Sequence, residues 1–159
     1  MLDDETRAFL EGGCALLVGT VADDGAPHAG RGWGLAVLEG GLPVRCRVLL
    51  DADDERTLAN VAGGGSISVT ATSVLTLRSM QLKGRAVGPE VPTPDDERRA
   101  ASYLEEFFGH VHEVDGVAWE VFESILPSGH VACVFEAHDT FDQTPGPGAG
   151  ARVEGTDGG

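Results

Sequence analysis

The chain has 159 residues, 42% of them hydrophobic, which is enough for one domain with a buried core. Its formal net charge of −15 gives the surface a potential that repels phosphate backbones, and no cluster of Lys or Arg reverses it locally, so we expect no nucleic-acid partner. No apolar run approaches the roughly 20 residues of a membrane-spanning helix, which argues against a membrane protein.

The start of the chain and its cysteines indicate a reducing compartment. The first residues, Met1-Leu-Asp-Asp-Glu, lack the basic start and long apolar centre of a secretory signal, so we expect a cytoplasmic protein. Cys14, Cys46 and Cys133 are scattered in apolar stretches without metal-type spacing. We therefore interpret them as buried free thiols.

The first half of the chain predicts a short helix followed by antiparallel strands. Asp3 or Asp4 can cap the helix, and Gly12-Gly13 can end it. The apolar segment that follows leads into Asp23-Asp24-Gly25, a strong hairpin signal, and then into a glycine-rich strand. Period-two or apolar patterns predict further strands at 44–50, 66–72 and 74–87, with a short helix at 53–61.

The second half predicts a capped helix, an amphipathic segment and a final strand. Thr93 can cap the helix, Pro94 suits its first position, and Asp96 can complete a capping box. We expect this helix to run to about Phe108 and to stop at Gly109. The amphipathic segment covers 117–126, and the final strand covers 130–138.

The C-terminal stretch differs in composition from the rest. From Thr144 onward the sequence is too poor in bulky apolar side chains to offset the entropy of ordering it. We predict one domain over residues 1–143 and a flexible Gly/Pro-rich tail over 144–159, loose at least beyond Gly150. No internal repeat is visible in the sequence.

Two stretches carry a resemblance to a known family. One is the pattern Thr-x-x-x-Asp-Gly-x-Pro-His from Thr20 to His28, and the other is the succession of strand, acidic turn, short helix, glycine break and two strands from Arg47 to Gly84. Both resemble the FMN-binding split barrels of the pyridoxamine 5'-phosphate oxidase family. The resemblance covers roughly Leu2 to Asp142, and it implies a mainly β fold of the α+β class: an antiparallel split β-barrel with peripheral helices.

The resemblance also implies a function. It implies that the chain forms a homodimeric flavoprotein, an FMN-dependent oxidoreductase with two equivalent clefts at the subunit interface. The isoalloxazine ring would perform hydride or electron transfer, and the protein would position it. A true pyridoxamine phosphate oxidase is not expected, because its substrate phosphate would need a further basic cluster. The residues indicate no substrate, electron acceptor, general acid or general base.

The family pattern places cofactor ligands on three segments of this chain. Aligned without gaps, the phosphate-holding Ser-Arg-Lys of the family falls on Glu55-Arg56-Thr57, and its aromatic-threonine pair falls on Leu50-Asp51. The flavin ring would run along Arg31-Gly32-Trp33, with Trp33 able to stack on it, and Arg78-Ser79 replaces an arginine–glutamine pair. The candidate cofactor-binding residues are Arg31, Gly32, Trp33, Leu50, Asp51, Arg56, Thr57, Arg78 and Ser79.

The turn before the short helix departs from the family pattern. It carries Asp51, Asp53, Asp54 and Glu55, and each carboxylate near a bound dianion would cost about 1 kcal/mol or more at an effective dielectric of about 20. These acids also suit simple helix capping. An alternative function is therefore a non-enzymatic split-barrel dimer that has lost FMN and binds another ligand, either haem or a small planar molecule.

Two other cofactors are less favoured than FMN. The acidity of the chain weighs against the polyglutamate tail of the deazaflavin F420. Haem has the support only of His110 and His112, and without a third ligand nearby we expect this pair to lie on an exposed loop, not at a metal site. No histidine has a nucleophile or carboxylate partner at motif spacing, which argues against a hydrolytic triad.

Two further expectations concern side-chain environment. Arg45 and Arg47 flank Cys46 at strand spacing, where they can serve an anionic ligand or pair with the abundant acids, and the acid excess favours salt bridges. Trp119 lies in the amphipathic segment, and we expect it to pack in the core.

Overall fold

The computed structural model of the protein describes residues 1–153 and contains seven strands and four helices in that range. The strands are β1 (Ala15–Val21), β2 (Pro27–Glu39), β3 (Val44–Asp51), β4 (Ser66–Thr72), β5 (Ser79–Glu90), β6 (His130–Asp142) and β7 (Ala151–Arg152). The helices are α1 (Asp4–Glu11), α2 (Glu55–Ala62), α3 (Pro94–Asp115) and α4 (Trp119–Glu123).

Six of the strands close into an antiparallel barrel. Their order is β3-β2-β1-β4-β5-β6, and β3 also pairs with β6, which completes the ring. Closure leaves the barrel without the unpaired edges at which open sheets associate. The predicted split β-barrel with peripheral helices is confirmed.

Side chains alternate between the inside and the outside of the barrel. On β1, Leu16 and Val18 are buried, whereas Leu17 is 55% exposed on the opposite face. β4 alternates in the same way, with Ile67 and Val69 inside. This alternation follows from the two-residue period of a strand, and it gives the barrel an apolar core and a separate outer face.

Gly84 lets β5 and β6 approach closely. A Cβ atom at this position would lie 1.8 Å from the carbonyl oxygen of Glu136. The register between the two strands shifts here, so that Lys83 pairs with Asp139 and Gly84 pairs with Ala137. Lys83 and Arg85, on either side of the glycine, are both exposed, because residues two apart on a strand project to the same face.

Helix α3 is longer than predicted. The capping box of Thr93 and Asp96 forms as expected, but the helix continues through Gly109 and ends at Gly116, which has a φ of 64°. One glycine inside a helix costs only about 1 kcal/mol. Beyond Gly109, Val111 packs against the core and His110 Nδ1 lies 3.3 Å from the carbonyl oxygen of Gly13, and these contacts offset the cost.

Three other element boundaries differ from the prediction. β5 begins at Ser79, because residues 73–78 form a tight loop in which Leu77 has a φ of 62°. β6 extends to Asp142. The amphipathic segment is helical only over α4, and Trp119 is 42% exposed instead of packing in the core.

Part of the predicted tail is attached to the barrel. The backbone N–H of Ser79 donates to the hydroxyl oxygen of Thr144 at 3.0 Å, and β7 pairs with the end of β6. The remainder of the tail, residues 154–159, lies outside the described residues. Within residues 1–153, no helix is long and apolar enough to cross a membrane.

Candidate functional site

The start of α2, where the family pattern places a flavin phosphate, is occupied by a carboxylate of this chain. Asp54 is the N-cap and accepts hydrogen bonds from the backbone N–H of Thr57 at 3.0 Å and from its hydroxyl at 2.6 Å. His28 Nε2 lies 3.0 Å from Asp54 Oδ1. Two polar groups that could bind an anion at this helix start, the backbone N–H and the hydroxyl of Thr57, are therefore already satisfied by Asp54.

These contacts keep Asp54 ionised. Burial alone would raise the pKa of its carboxyl group, but hydrogen bonds from Thr57, and then the bond from His28, hold that pKa below its ordinary value. Because an ionised carboxylate can only accept hydrogen bonds, the imidazole of His28 is the donor in this pair.

Gly30 makes room for this carboxylate. A Cβ atom at Gly30 would lie 2.3 Å from Asp54 Oδ2 and 3.0 Å from Thr57 Oγ1. A side chain on β2 at this point would displace Asp54, and so would a phosphate bound at the helix start. The residues at this turn therefore do not fit the phosphate of FMN.

The predicted ligands around α2 have different environments. Arg56 is exposed, whereas Thr57 is buried beneath the Asp54 carboxylate. Leu50 is 1% exposed in the barrel core, and Asp51 accepts a hydrogen bond from the backbone N–H of Asp53 at 2.8 Å. Only Arg56 has a side chain open to a ligand.

The predicted ring-binding segment divides between the two faces of β2. Arg31 is exposed on the outer face, opposite Leu17. Trp33 is 2% exposed inside the barrel, next to the buried Gly32, and its indole nitrogen has no hydrogen-bond partner among the described residues. As placed, the Trp33 ring has no face open to a ligand.

Arg78 and Ser79 lie far from α2. The β4–β5 ladder runs from the Ser66–Arg85 pair to the Thr72–Ser79 pair, which is about 20 Å of strand. Arg78 forms an ion pair with Glu5 at 2.8 Å, and the Ser79 hydroxyl lies 2.7 Å from that of Thr72. Within one subunit, the nine predicted residues thus do not form one site.

A different feature, an open trough of about 760 Å³, crosses the outside of the barrel over β2, β1, β4, β5 and β6. We call it the outer trough. Ala29, Gly19 and Ser68 are opposite one another on β2, β1 and β4, and they form a row of small side chains in its floor. Such a row leaves a flat surface between the exposed Leu17 and Val21 of β1.

Two cations lie at the β5 side of the outer trough. Lys83, the only lysine of the chain, is opposite Ser68, and Arg85 is opposite Ser66. Neither forms an ion pair within residues 1–153. Sequence reasoning missed this pair, although the Lys-Gly-Arg spacing on a strand was a usable signal.

The remaining histidine and arginine expectations have mixed outcomes. His110 and His112 lie on α3, not on a loop, and positions two apart on a helix face different directions. No group of three His, Cys, Asp or Glu side chains in residues 1–153 is arranged to hold a metal. The salt-bridge expectation is confirmed for Arg47, which pairs with Asp96 at 2.7 Å and also with Glu90, but not for Arg45, which forms no ion pair within residues 1–153.

Solved structures of other proteins share this fold. HupZ of Group A Streptococcus is 16% identical and has a TM-score of 0.55, with 94% of this chain and 100% of that chain covered. An F420 reductase is 13% identical, with a TM-score of 0.50 and coverage of 87% and 98%. A Clostridium acetobutylicum protein of the pyridoxinephosphate oxidase family, related to general stress protein 26, is 14% identical, with a TM-score of 0.48 and coverage of 86% and 84%.

Sequence comparison adds nothing to the structural likeness. No protein-family profile and no curated protein matches the chain. At these low identities the structural similarity establishes the fold alone. The chain shares its antiparallel split-barrel fold with HupZ and with the F420 reductase, which is the fold that its motifs predicted.

Proposed function

We propose that this protein is an oxidoreductase that binds a flavin-type cofactor, with FMN as the first candidate, in the outer trough. The observation that carries the proposal is the flat floor of the trough, formed by Ala29, Gly19 and Ser68. The trough volume of about 760 Å³ falls in the usual range for cofactor pockets, about 300–1,000 Å³. An F420 reductase with the same fold supports a role in redox chemistry.

The proposal includes a homodimer. The trough is open on the side away from the barrel, and exposed apolar side chains, Leu17 at 55% and Val21 at 40%, stand beside its floor. A second copy of the chain would cover these side chains and supply the missing wall. Two equivalent clefts would then form, each lined by strands of both subunits.

A bound flavin would supply the hydride or electron transfer. The residues of this chain would hold the ring flat against the barrel and keep water from the face in contact with Gly19. We assign no general acid or base. The other predicted side chains that remain open to a ligand, Arg31 and Arg56, stay candidates for contacts to the cofactor or the partner subunit.

A second candidate is a split-barrel dimer that has lost FMN and binds haem or another planar molecule. The position of Asp54 favours it, because the carboxylate fills the place of the flavin phosphate. This candidate uses the same trough and differs only in the ligand.

The test is an absorbance spectrum of the purified native protein, recorded again after addition of FMN and removal of the excess by gel filtration. Retained flavin absorption supports the proposal. If the protein does not retain FMN but retains F420 after the same procedure, the redox role stands with a different cofactor. If a Soret band remains after addition of haemin, the protein binds haem and the second candidate is supported. A protein that retains none of the three contradicts both candidates.

Variants connect the result to the outer trough. Ser68→Phe and Ala29→Phe place a ring on its floor without changing the barrel core, because both side chains project outward. We expect each to abolish retention of the ligand. Thr76→Phe, in the exposed loop before β5, is the matched control and should retain it. Light scattering of the same samples measures whether the protein is a dimer.

A further inference from the structure

We infer that the outer trough binds the anionic group of its ligand, a phosphate or a carboxylate, through Lys83 and Arg85 on β5 and not through the turn before α2. The inference rests on the proposed function for the planar part of the ligand. It assigns the anion to residues that the family pattern does not use.

The first argument is the absence of ion pairs for these two cations in a strongly acidic chain. The sequence has 26 acidic and 11 basic residues, so a surface on which two cations lie together is favourable for an anion where most of the surface is not. Four arginines form ion pairs among the described residues, namely Arg47, Arg78, Arg98 and Arg152, and the other seven cations form none there. Of those seven, Lys83 and Arg85 are the two that line the outer trough. Lys83 and Arg85 form none in that part of the chain, and both are exposed at the trough.

The second argument is position. Ala29, Gly19, Ser68 and Lys83 are opposite one another on four consecutive strands. Adjacent strands are about 4.8 Å apart, so this row is about 14 Å long. A fused-ring ligand lying on the three small side chains would therefore bring an anionic substituent to Lys83 at the end of the row.

The third argument concerns the arrangement of the two cations. Gly84 admits the close approach of β6, and the residues on either side of it project to the same face of the strand. Arg85 donates one hydrogen bond from Nη2 to the carbonyl oxygen of Gly64 at 2.9 Å, which fixes the guanidinium and leaves its other N–H groups available. Lys83 lies over the ring of Phe141, with Nζ 4.9 Å from the ring centroid.

The nearby acids do not cancel the positive charge. Asp139, opposite Lys83, forms an ion pair with Arg152 of β7, and Glu136, opposite Arg85, is half-buried. These five residues together carry three positive and two negative charges. By contrast, the turn before α2 presents the carboxylate of Asp54 at the place where a phosphate would bind.

The experiment compares FMN with riboflavin, which has the same ring without the phosphate. Binding constants for both are measured by fluorescence titration for the native protein, Lys83→Gln, Arg85→Gln and the double variant. We expect each substitution to weaken FMN binding about tenfold and to leave riboflavin binding unchanged, because each removes one charge-assisted contact to the phosphate. Arg98→Gln, an exposed arginine of α3 that does not line the trough, is the charge-matched control and should change neither constant. Arg56→Gln, at the start of α2, tests the alternative position of the phosphate.

The opposite pattern overturns the inference. If Arg56→Gln removes the preference for FMN over riboflavin while Lys83→Gln and Arg85→Gln preserve it, the phosphate binds at α2. Far-UV circular dichroism of each variant confirms that the barrel is folded.

A failure of the proposed function is distinguishable from a failure of this inference. If neither flavin binds, the probe becomes 1-anilinonaphthalene-8-sulfonate, a planar aromatic anion, with inorganic pyrophosphate as competitor. Probe binding that falls about tenfold in the Lys83→Gln variant and is reduced by pyrophosphate supports an anion site for a different ligand. Probe binding that is insensitive to both cations, or an absence of binding, overturns the inference.

Discussion

His28 donates a hydrogen bond to Asp54 with a distance of 3.0 Å between Nε2 and Oδ1, and this contact joins β2 to the start of α2. The carboxylate also caps α2 through two hydrogen bonds from Thr57. One side chain thus completes a helix, connects it to the barrel and fills the place of the flavin phosphate in the family pattern. The acidic turn is a structural element of this barrel.

Asp54→Ala should destabilise the protein by about 2 kcal/mol, because it removes a helix cap and leaves the half-buried His28 and the buried Thr57 without their acceptor. Urea unfolding followed by circular dichroism measures the change. Asp53→Ala is the matched control: its side chain is exposed and, within residues 1–153, accepts a hydrogen bond only from Ser128, so we expect a change within about 0.5 kcal/mol. Equal effects of the two substitutions would contradict the role given to Asp54.

Stability should fall when the solution is made acidic, and Asp96 should account for much of the loss. Burial of Asp96 is outweighed by the hydrogen bonds from Arg47 and Thr93, so its pKa lies below the ordinary value of 3.8 in the folded state. A group with a depressed pKa contributes stability above its unfolded value, and this contribution is lost as the pH falls through the folded value. We therefore expect stability to be constant near neutral pH and to decrease below about pH 4.

The Asp96→Asn variant tests this assignment. It should lose about 3 kcal/mol at pH 7, because Arg47 keeps a largely buried charge with only the exposed Glu90 as its partner, and it should lose less than the native protein on further acidification. Asp23→Asn, in the exposed β1–β2 turn, should follow the native pH profile. Parallel profiles for the native protein and Asp96→Asn would show that other carboxylates cause the loss.

Two glycine substitutions should act in opposite directions. Gly84→Ala places a methyl group 1.8 Å from a backbone oxygen of β6, and we expect a loss of about 3 kcal/mol or more. Gly109→Ala lies on the exposed side of α3 with nothing within 4 Å of the new methyl group, and it should stabilise the protein by about 1 kcal/mol. Thermal unfolding of both variants measures the difference. A stable Gly84→Ala protein would contradict the close approach of β5 and β6.

The three cysteines should be unreactive in the native protein. Burial raises the pKa of Cys14 to about 11 and those of Cys46 and Cys133 to about 12, and the reactive thiolate is therefore scarce. Titration with a thiol reagent at pH 8 should detect no free thiol in the native state and three after unfolding in urea. Rapid reaction of one thiol in the native protein would locate an opening in the core.

The fold could be predicted from the sequence because the signals for its helices and hairpins lie in short stretches of the chain. The hairpin at Asp23-Asp24-Gly25 and the capping box of Thr93 and Asp96 each depend on residues that are neighbours in the chain, and both form as predicted. The predicted end of α3 was wrong, because a glycine such as Gly109 is tolerated inside a helix where packing against distant residues favours the helix. At Gly109 the local preference and the tertiary packing disagree, and packing decides.

The candidate site depended on contacts that sequence spacing does not show. The pairs His28–Asp54 and Arg47–Asp96 are 26 and 49 residues apart, and they meet only because β2, β3, α2 and α3 pack around one barrel. The same packing buries Trp33 and Leu50 and leaves Lys83 and Arg85 on the outer face. The sequence by itself determined the order of the elements and the faces of the strands, through capping and alternation. Which of those faces meet was decided only when the barrel closed, because the pairing of strands brings together residues that are far apart in the sequence.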